Sequence, residues 1–374
     1  MSQNQYFTLG NTGLRVSRLA LGAMTFGTAW GWGADKQTSR QLFDAYLDLG
    51  GNFVDTADAY TGGDSEKFIG EFIKDKRDKI VVSTKVSYSL DPKNPNAGGN
   101  GRKHILSAVE GSLQRLGTDY IDLYILHTWD HVTPVEEVLR TFDDLVRSGK
   151  VRHIGLSDVP AWYASRGQTI AGIRDLEPFS ALQLEYSLAE RAIEDEYVPL
   201  GIAHGMGIMV WSPLASGLLS GKYKPSKGSI RESQKDGDGR LKMMSGAANP
   251  AFNKLTDRNW AIAAELEKVA DELGRSMAQV AVNWVVNRPG VASVLVGATK
   301  LSQLEDNLQA LDFTIPEELL SRLDKVSKPD PRFPYYFFEP NMQAMLAGEF
   351  PLGDKPSNYA PPLLMQGKAA GTSK

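Results

Sequence analysis

An α/β fold in which eight parallel strands close into a (β/α)8 TIM barrel is what this sequence predicts, and three observations predict it. Short apolar runs alternate with helix-patterned segments along most of the 374 residues, and strands separated by helices pair in parallel through crossovers. Eight such runs occur, with no change of composition that would mark a second domain. Chemically capable side chains end several of these runs, as the ligand-binding face of a barrel requires. An open doubly wound sheet is the competing arrangement. Against it, Gly22-Ala23-Met24-Thr25-Phe26-Gly27 after the first run lacks the Gly-x-Gly-x-x-Gly spacing of a dinucleotide turn.

Tyr6-Phe7-Thr8-Leu9 and Arg15-Val16-Ser17 flank the turn-forming Gly10-Asn11-Thr12-Gly13, which reads as an N-terminal β-hairpin plugging one end of the fold. Strand candidates follow at 19–21, 52–55, 80–85, 121–127, 153–157, 181–185, 208–212 and 291–297. Helical patterning covers 39–49, 66–74, 103–116, 135–148, 194–204, 260–273, 277–287 and 302–311. Pro134 and Ser276 stand where helices should start, because a first turn needs no proline N–H and a serine hydroxyl caps free amides. Two irregular stretches, 88–102 and 222–250, exceed the roughly 12–15 residues above which loops are usually functional or unstructured, and both belong on the C-terminal face. Residues 1–328 therefore form one barrel domain. Residues 329–374 form a C-terminal extension whose aromatic run Tyr335-Tyr336-Phe337-Phe338 docks and whose end frays.

An apolar fraction of 42% and a charged fraction of 23% supply an ordinary globular core. The net charge of −4, without a Lys/Arg block, gives no footprint for nucleic acid or anionic membrane, so a small-molecule partner is expected. Zero cysteines exclude a disulfide framework, a thiolate metal site and a thiol nucleophile, and fit a reducing compartment. The polar start Met1-Ser2-Gln3-Asn4 and the lack of a long apolar stretch make the cytoplasm the expected location.

Asp55, Lys85 and His127 each end an apolar strand, in Phe-Val-Asp, Val-Val-Ser-Thr-Lys and Leu-Tyr-Ile-Leu-His. Consecutive barrel strands are neighbours, so these ends and the loop carrying Tyr60 converge. A free phenol, with a pKa of about 10, is a poor acid at neutral pH. A lysine ammonium beside it favours the phenolate, and a carboxylate keeps that ammonium charged and in place. A histidine beside the phenol can orient a carbonyl oxygen. Together these four groups suit a proton donor aimed at an oxygen while hydride reaches the carbon. A metal site built from His127 and His131 is the alternative; their i, i+4 spacing needs a helix, whereas His127 closes a strand and Pro134 starts the next helix.

Phe53-Val-Asp-Thr-Ala-Asp-Ala-Tyr60, Ser83-Thr-Lys85, Asp122-Leu-Tyr-Ile-Leu-His127, Ile154-Gly-Leu-Ser157, Trp211-Ser-Pro-Leu214 and Val296-Gly-Ala-Thr-Lys300 together resemble the aldo-keto reductases, in that family's order, from about residue 9 to 312. The resemblance implies a catalytic tetrad of Tyr60, Asp55, Lys85 and His127 and a nicotinamide cofactor, normally NADPH with NADH the alternative, reducing an aldehyde or ketone reversibly. It further implies that Ser157, Asp158 and Gln183 hold the carboxamide and that Trp211 stacks on the nicotinamide ring beside Met24. Ser212, Pro213, Leu214 and Gly217 then line the pyrophosphate path, with Lys222 and Arg240 adding positive charge. Gly297, Thr299, Lys300, Gln303 and Asn307 fall where the family grips the adenosine end. Three positions depart from the pattern: Asp158 where many members carry Asn, Ala23 where Thr is frequent, and Lys300 where Arg is frequent. The last turns a forked grip on a 2′-phosphate into a point charge. The potassium-channel β-subunits share the resemblance as redox-sensing regulators but generally carry Asn at the position of His127. Trp30, Trp32, Tyr88 and Trp129 are expected to shape the substrate pocket, and a homo-oligomer is compatible with the sequence.

Overall fold

The computed structural model describes residues 5–223, 252–348 and 350. Strands β1 (Tyr6–Thr8) and β2 (Arg15–Ser17) pair antiparallel as the expected hairpin. The eight runs form β3 (Leu19–Gly22), β4 (Phe53–Asp55), β5 (Val81–Val86), β6 (Ile121–Leu126), β7 (Val151–Ser157), β8 (Phe179–Glu185), β9 (Gly207–Trp211) and β10 (Val291–Val296). All pair in parallel in chain order, and β10 returns to β3 to close the barrel. No described helix is long and apolar enough to cross a membrane.

Side-chain alternation divides each strand between two cores. Ala20, Phe53, Val81, Leu123, Ile125, Ala181 and Met209 fill the barrel interior, and Leu9 and Val16 of the hairpin segment close its lower end. Leu21, Val54, Val82, Tyr124, Leu126 and Leu182 point outward into the layer beneath the helices. The same alternation carries inward-facing side chains up each strand to the C-terminal mouth, from Phe53 to Asp55, from Val81 to Lys85 and from Ile125 to His127.

The helices among the described residues are α1 (Lys36–Asp48), α2 (Asp64–Ile73), α3 (Arg102–Leu116), α4 (Val135–Arg147), α5 (Ala161–Arg174), α6 (Tyr197–His204), α7 (Asp257–Leu273), α8 (Met277–Val286), α9 (Leu301–Leu308), α10 (Glu317–Ser327) and α11 (Pro340–Ala347). Pro134 and Ser276 are the N-caps of α4 and α8, and Ser276 forms a reciprocal capping box with Gln279. Three helices escaped the sequence reading, α5, α10 and the short α11 of the extension. In α5 Trp162 is 58% and Ile173 78% exposed, so its apolar residues form no single stripe. Helix α10 follows Pro316 beyond the last barrel strand. The segment expected to be helical over 194–204 is instead a 3-10 turn, Ala192–Glu194, followed by α6. Strand β9 stops at Trp211 because Ser212 turns to φ 56°. Of the long stretch 222–250, residues 224–250 lie outside the described residues, as do 351–374 of the extension. In the extension, Tyr335–Phe338 form a 3-10 turn, and the Tyr335 hydroxyl donates to Glu196 Oε1 at 2.7 Å.

Candidate active site

Asp55 closes β4 and stands opposite Ser83 of β5, which places Lys85 two residues further up the same inward face. The Lys85 ammonium, fully buried, lies 2.5 Å from Asp55 Oδ2, donates to the Thr56 carbonyl at 2.7 Å and reaches the Tyr60 hydroxyl at 3.3 Å. The other Asp55 oxygen accepts from the Ser83 hydroxyl at 2.6 Å and from Gln183 Nε2 at 2.8 Å. The carboxylate is thus fixed on both sides, and the ammonium has little freedom except toward the phenol. Burial works against the charged lysine, but the neighbouring Asp55 and Tyr60 outweigh it and raise its pKa.

His127 follows β6 and meets the Tyr60 ring edge-on, centroids 5.6 Å apart at 76°. Its Nδ1 is buried without a hydrogen-bond partner among the described residues. Burial, then the Lys85 charge, hold its pKa well below the usual histidine value. The imidazole is therefore neutral at physiological pH, with one N–H to offer an oxygen bound beside Tyr60.

These groups open into a cavity of about 370 Å³, walled by Met24, Trp30, Tyr60, Tyr88, His127, Ser157, Asp158, Gln183, Trp211, Ser212, Phe252 and Gly297, among others. Trp30 meets Tyr60 at 6.3 Å between centroids and Tyr88 meets His127 at 4.8 Å, so aromatic edges surround the phenol. Trp32 packs on Trp30 behind this wall. Trp129 does not line the cavity; it stacks on His131 at 3.9 Å and packs against Trp162. That stacking also separates the two histidines of the metal alternative: His127 faces the barrel mouth while His131, at φ 66°, sits in the loop with Trp129.

Ser157 and Gln183 are paired across β7 and β8. Gln183 gives its amide N–H to Asp55, which leaves Oε1 as an acceptor. The Ser157 hydroxyl lies close enough to Asp158 to favour the ionised acid, yet makes no well-formed hydrogen bond. Asp158 holds a left-handed φ of 46°, and its Oδ1 accepts from Trp211 Nε1 at 3.2 Å. The residue borders the cavity and is exposed there. Crowding of its carboxyl by the surrounding protein is the main cause that raises its pKa; the Trp211 N–H pulls downward and Glu185 adds to the rise.

Beyond the cavity, Ser212 (φ 56°), Ala215 (φ 49°), Ser216 (φ 59°) and Gly217 (φ 101°) coil the chain after β9 through Pro213 and Leu214. Such positive φ values in residues with side chains cost energy and concentrate at ligand sites. Lys222 is exposed just past this coil, and Arg240 lies outside the described residues. Lys300 is the N-cap residue of α9, Gln303 Oε1 accepts from the Thr299 N–H at 3.0 Å, and Asn307 is buried on the inner face of that helix. Sequence reasoning missed Ser83, Thr56 and Phe252. The first was within reach, since Ser83 shares Lys85's strand parity. Phe252 belongs to no predicted element and reaches the cavity only where the chain returns toward α7.

Residues 18–328 match the model of the aldo/keto reductase family. The chain is 36% identical over 335 residues to a probable voltage-gated potassium channel subunit beta of Oryza sativa subsp. japonica, covering 88% of this chain and 98% of that protein. It is 33% identical over 337 residues to a norsolorinic acid reductase of Aspergillus flavus, covering 87% and 82% respectively. It is also 33% identical over 341 residues to an aryl-alcohol dehydrogenase (NADP(+)) of Phanerodontia chrysosporium, covering 87% and 86%. Proteins of the matching family use NAD(P)H. The nicotinamide end fits residues present here: a buried Ser157 hydroxyl without a well-formed bond, an amide oxygen on Gln183 and the Trp211 ring share one wall.

Proposed function

Because this chain belongs to the aldo/keto reductase family, an oxidoreductase family, we propose that it reduces an aldehyde or ketone to the alcohol, reversibly, with Tyr60 as the proton donor. The observation that carries this reading is the Lys85 ammonium fixed between Asp55 and the Tyr60 hydroxyl. When bound, NADPH supplies the hydride. Ser157, Asp158 and Gln183 hold its carboxamide, Trp211 and Met24 flank the ring, and Ser212, Pro213, Leu214, Gly217 and Lys222 follow the pyrophosphate. Gly297, Thr299, Lys300, Gln303 and Asn307 take the adenosine end. The substrate carbonyl oxygen lies between Tyr60 and the neutral His127, whose N–H orients it. Tyr60 gives its proton to that oxygen as negative charge develops there, and Lys85 stabilises the phenolate left behind.

Trp30 and Tyr88 on the cavity wall favour flat, apolar carbonyl compounds, in keeping with a relative named for aryl alcohols. Catalysis is assigned to the barrel of residues 1–328, to which the extension 329–374 is attached. The cysteine-free sequence supports work in a reducing compartment, the cytoplasm. Wild-type protein is expected to oxidise NADPH with members of an aldehyde panel, and Tyr60→Phe to lose that activity while still binding NADPH. Undiminished turnover in the mutant rejects the reading.

A second reading, a regulatory subunit of a membrane channel, draws on the potassium-channel relatives. It predicts co-purification with a membrane partner and only very slow single-turnover oxidation of bound cofactor.

A further inference from the structure

Outside the barrel wall, between β5, β6, α2 and α3, lies a second group of buried ionisable side chains. Glu66 of α2 has both oxygens engaged, one by the Thr84 hydroxyl at 2.5 Å and the other by Arg115 Nε at 2.6 Å. Asp58 is equally buried and faces the same group, yet neither of its oxygens closes a hydrogen bond among the described residues. The Ala59 amide approaches it closely enough to favour the ionised acid, without bonding geometry. From β6 the Tyr124 hydroxyl is buried and likewise without a partner among the described residues, and burial, then the proximity of the two acids, pushes its pKa well up. Two carboxyl groups thus share one guanidinium in a desolvated space. A buried carboxylate lacking donors and a counter-charge is strongly disfavoured, and it takes up a proton instead. Glu66 holds the guanidinium, so the proton belongs to Asp58.

Asp58 also belongs to the turn that presents Tyr60. Its N–H donates to the Lys85 carbonyl at 3.2 Å, and the Tyr60 N–H donates to the Ala57 carbonyl at 3.2 Å. Arg115 lies directly under this turn, where a Cβ on Gly63 would come within 2.9 Å of its Cδ. Lys85 acts on the Asp58 carboxyl from the other side of the strand.

We propose that Asp58 is a positioning residue for the Tyr60 proton donor, kept as the neutral acid during turnover so that the Lys85 ammonium retains its full pull on the phenol. The proposal rests on the reading of Tyr60 given above. Ionised Asp58 places a second negative charge behind Lys85, offsets part of the ammonium's field and makes Tyr60 release its proton less readily. Burial and then Glu66 push the Asp58 carboxyl up to about 7, with Arg115, the Ala59 amide and Lys85 opposing, so the change falls within an ordinary assay range.

Two measurements on the full chain test this. Infrared difference spectra between about pH 5.5 and 8.5 should show protonated carboxyl absorption disappearing near neutrality. Asp158→Asn removes one part of that signal, and Asp58→Asn should remove another. With NADPH and benzaldehyde, or whichever aldehyde of the panel reacts best, wild-type kcat/KM should fall several-fold over the same range. Asp58→Asn should flatten that fall. Should this variant fail to fold, Glu66→Gln gives the reading by displacement, moving both the absorption change and the rate change to lower pH. An absorption change undiminished in Asp58→Asn, or a pH profile that the variant reproduces, overturns the proposal. The infrared titration needs no turnover, so its result stands apart from whether Tyr60 proves to be the proton donor.

Discussion

At the scale of the residue, Asp55 is better described as the anchor of Lys85 than as a base toward substrate. One of its oxygens binds the ammonium while the other is held by Ser83 and Gln183, so both are engaged by protein where the residue borders the cavity. Asp55→Asn keeps the shape but removes the charge, so it should displace the pH–rate profile while retaining measurable activity. A profile superimposable on wild type contradicts that division of labour. Lys85→Met removes the partner of the phenolate itself and should lower kcat/KM by about 10²–10⁴, the usual share of a general acid. Lys300, a point charge at the start of α9, should matter to the cofactor rather than the carbonyl. Lys300→Ala is expected to raise the KM for NADPH about tenfold while leaving that for NADH nearly unchanged.

At the scale of the element, the barrel was legible because most of its strands are largely buried and read as short, mainly apolar runs, several of them ending in a polar group. The adjacency of consecutive strands then brought Asp55, Lys85 and His127, each at a strand end, to one patch. Helix α5 was not legible, since Trp162 and Ile173 face outward and blur its periodicity. Nor was Phe252, whose place in the cavity wall depends on how a long connection returns to the barrel. The reassignment of Trp129 has a similar cause: its ring found His131 and Trp162, neighbours that no local pattern announces. The hairpin plug offers a direct check on the element's role. Leu9 is fully buried in the barrel interior, at the end away from the catalytic groups. Leu9→Ala should cost about 2–5 kcal/mol in chemical denaturation. The KM for an aldehyde should not move; a changed KM would mean that the plug shapes the site.

At the scale of the whole molecule, buried acids make stability depend on pH in a defined direction. The folded protein holds the buried Asp58 carboxyl up to about 7, whereas in the unfolded chain it titrates near its ordinary value. Between those limits the folded state binds more protons, so its contribution is fully present at low pH and is lost as pH rises through about 7. His127 acts oppositely, since its lowered pKa makes the folded state bind fewer protons and favours folding as pH rises toward the unfolded histidine value. Asp58→Asn should therefore raise the free energy of unfolding more at about pH 8 than at pH 5, by an amount on the order of a few kcal/mol at most. An equal shift at both pH values would mean that Asp58 does not change charge in that interval.

The central claim is that a phenol activated by a buried ammonium delivers the proton in a carbonyl reduction. Stopped-flow mixing of NADPH-loaded protein with an aldehyde measures it most directly, with NADPH binding to each variant checked by fluorescence. Rapid loss of NADPH absorbance in wild type and its absence in Tyr60→Phe, at equal cofactor occupancy, is the predicted result; equal rates in the two proteins would contradict it.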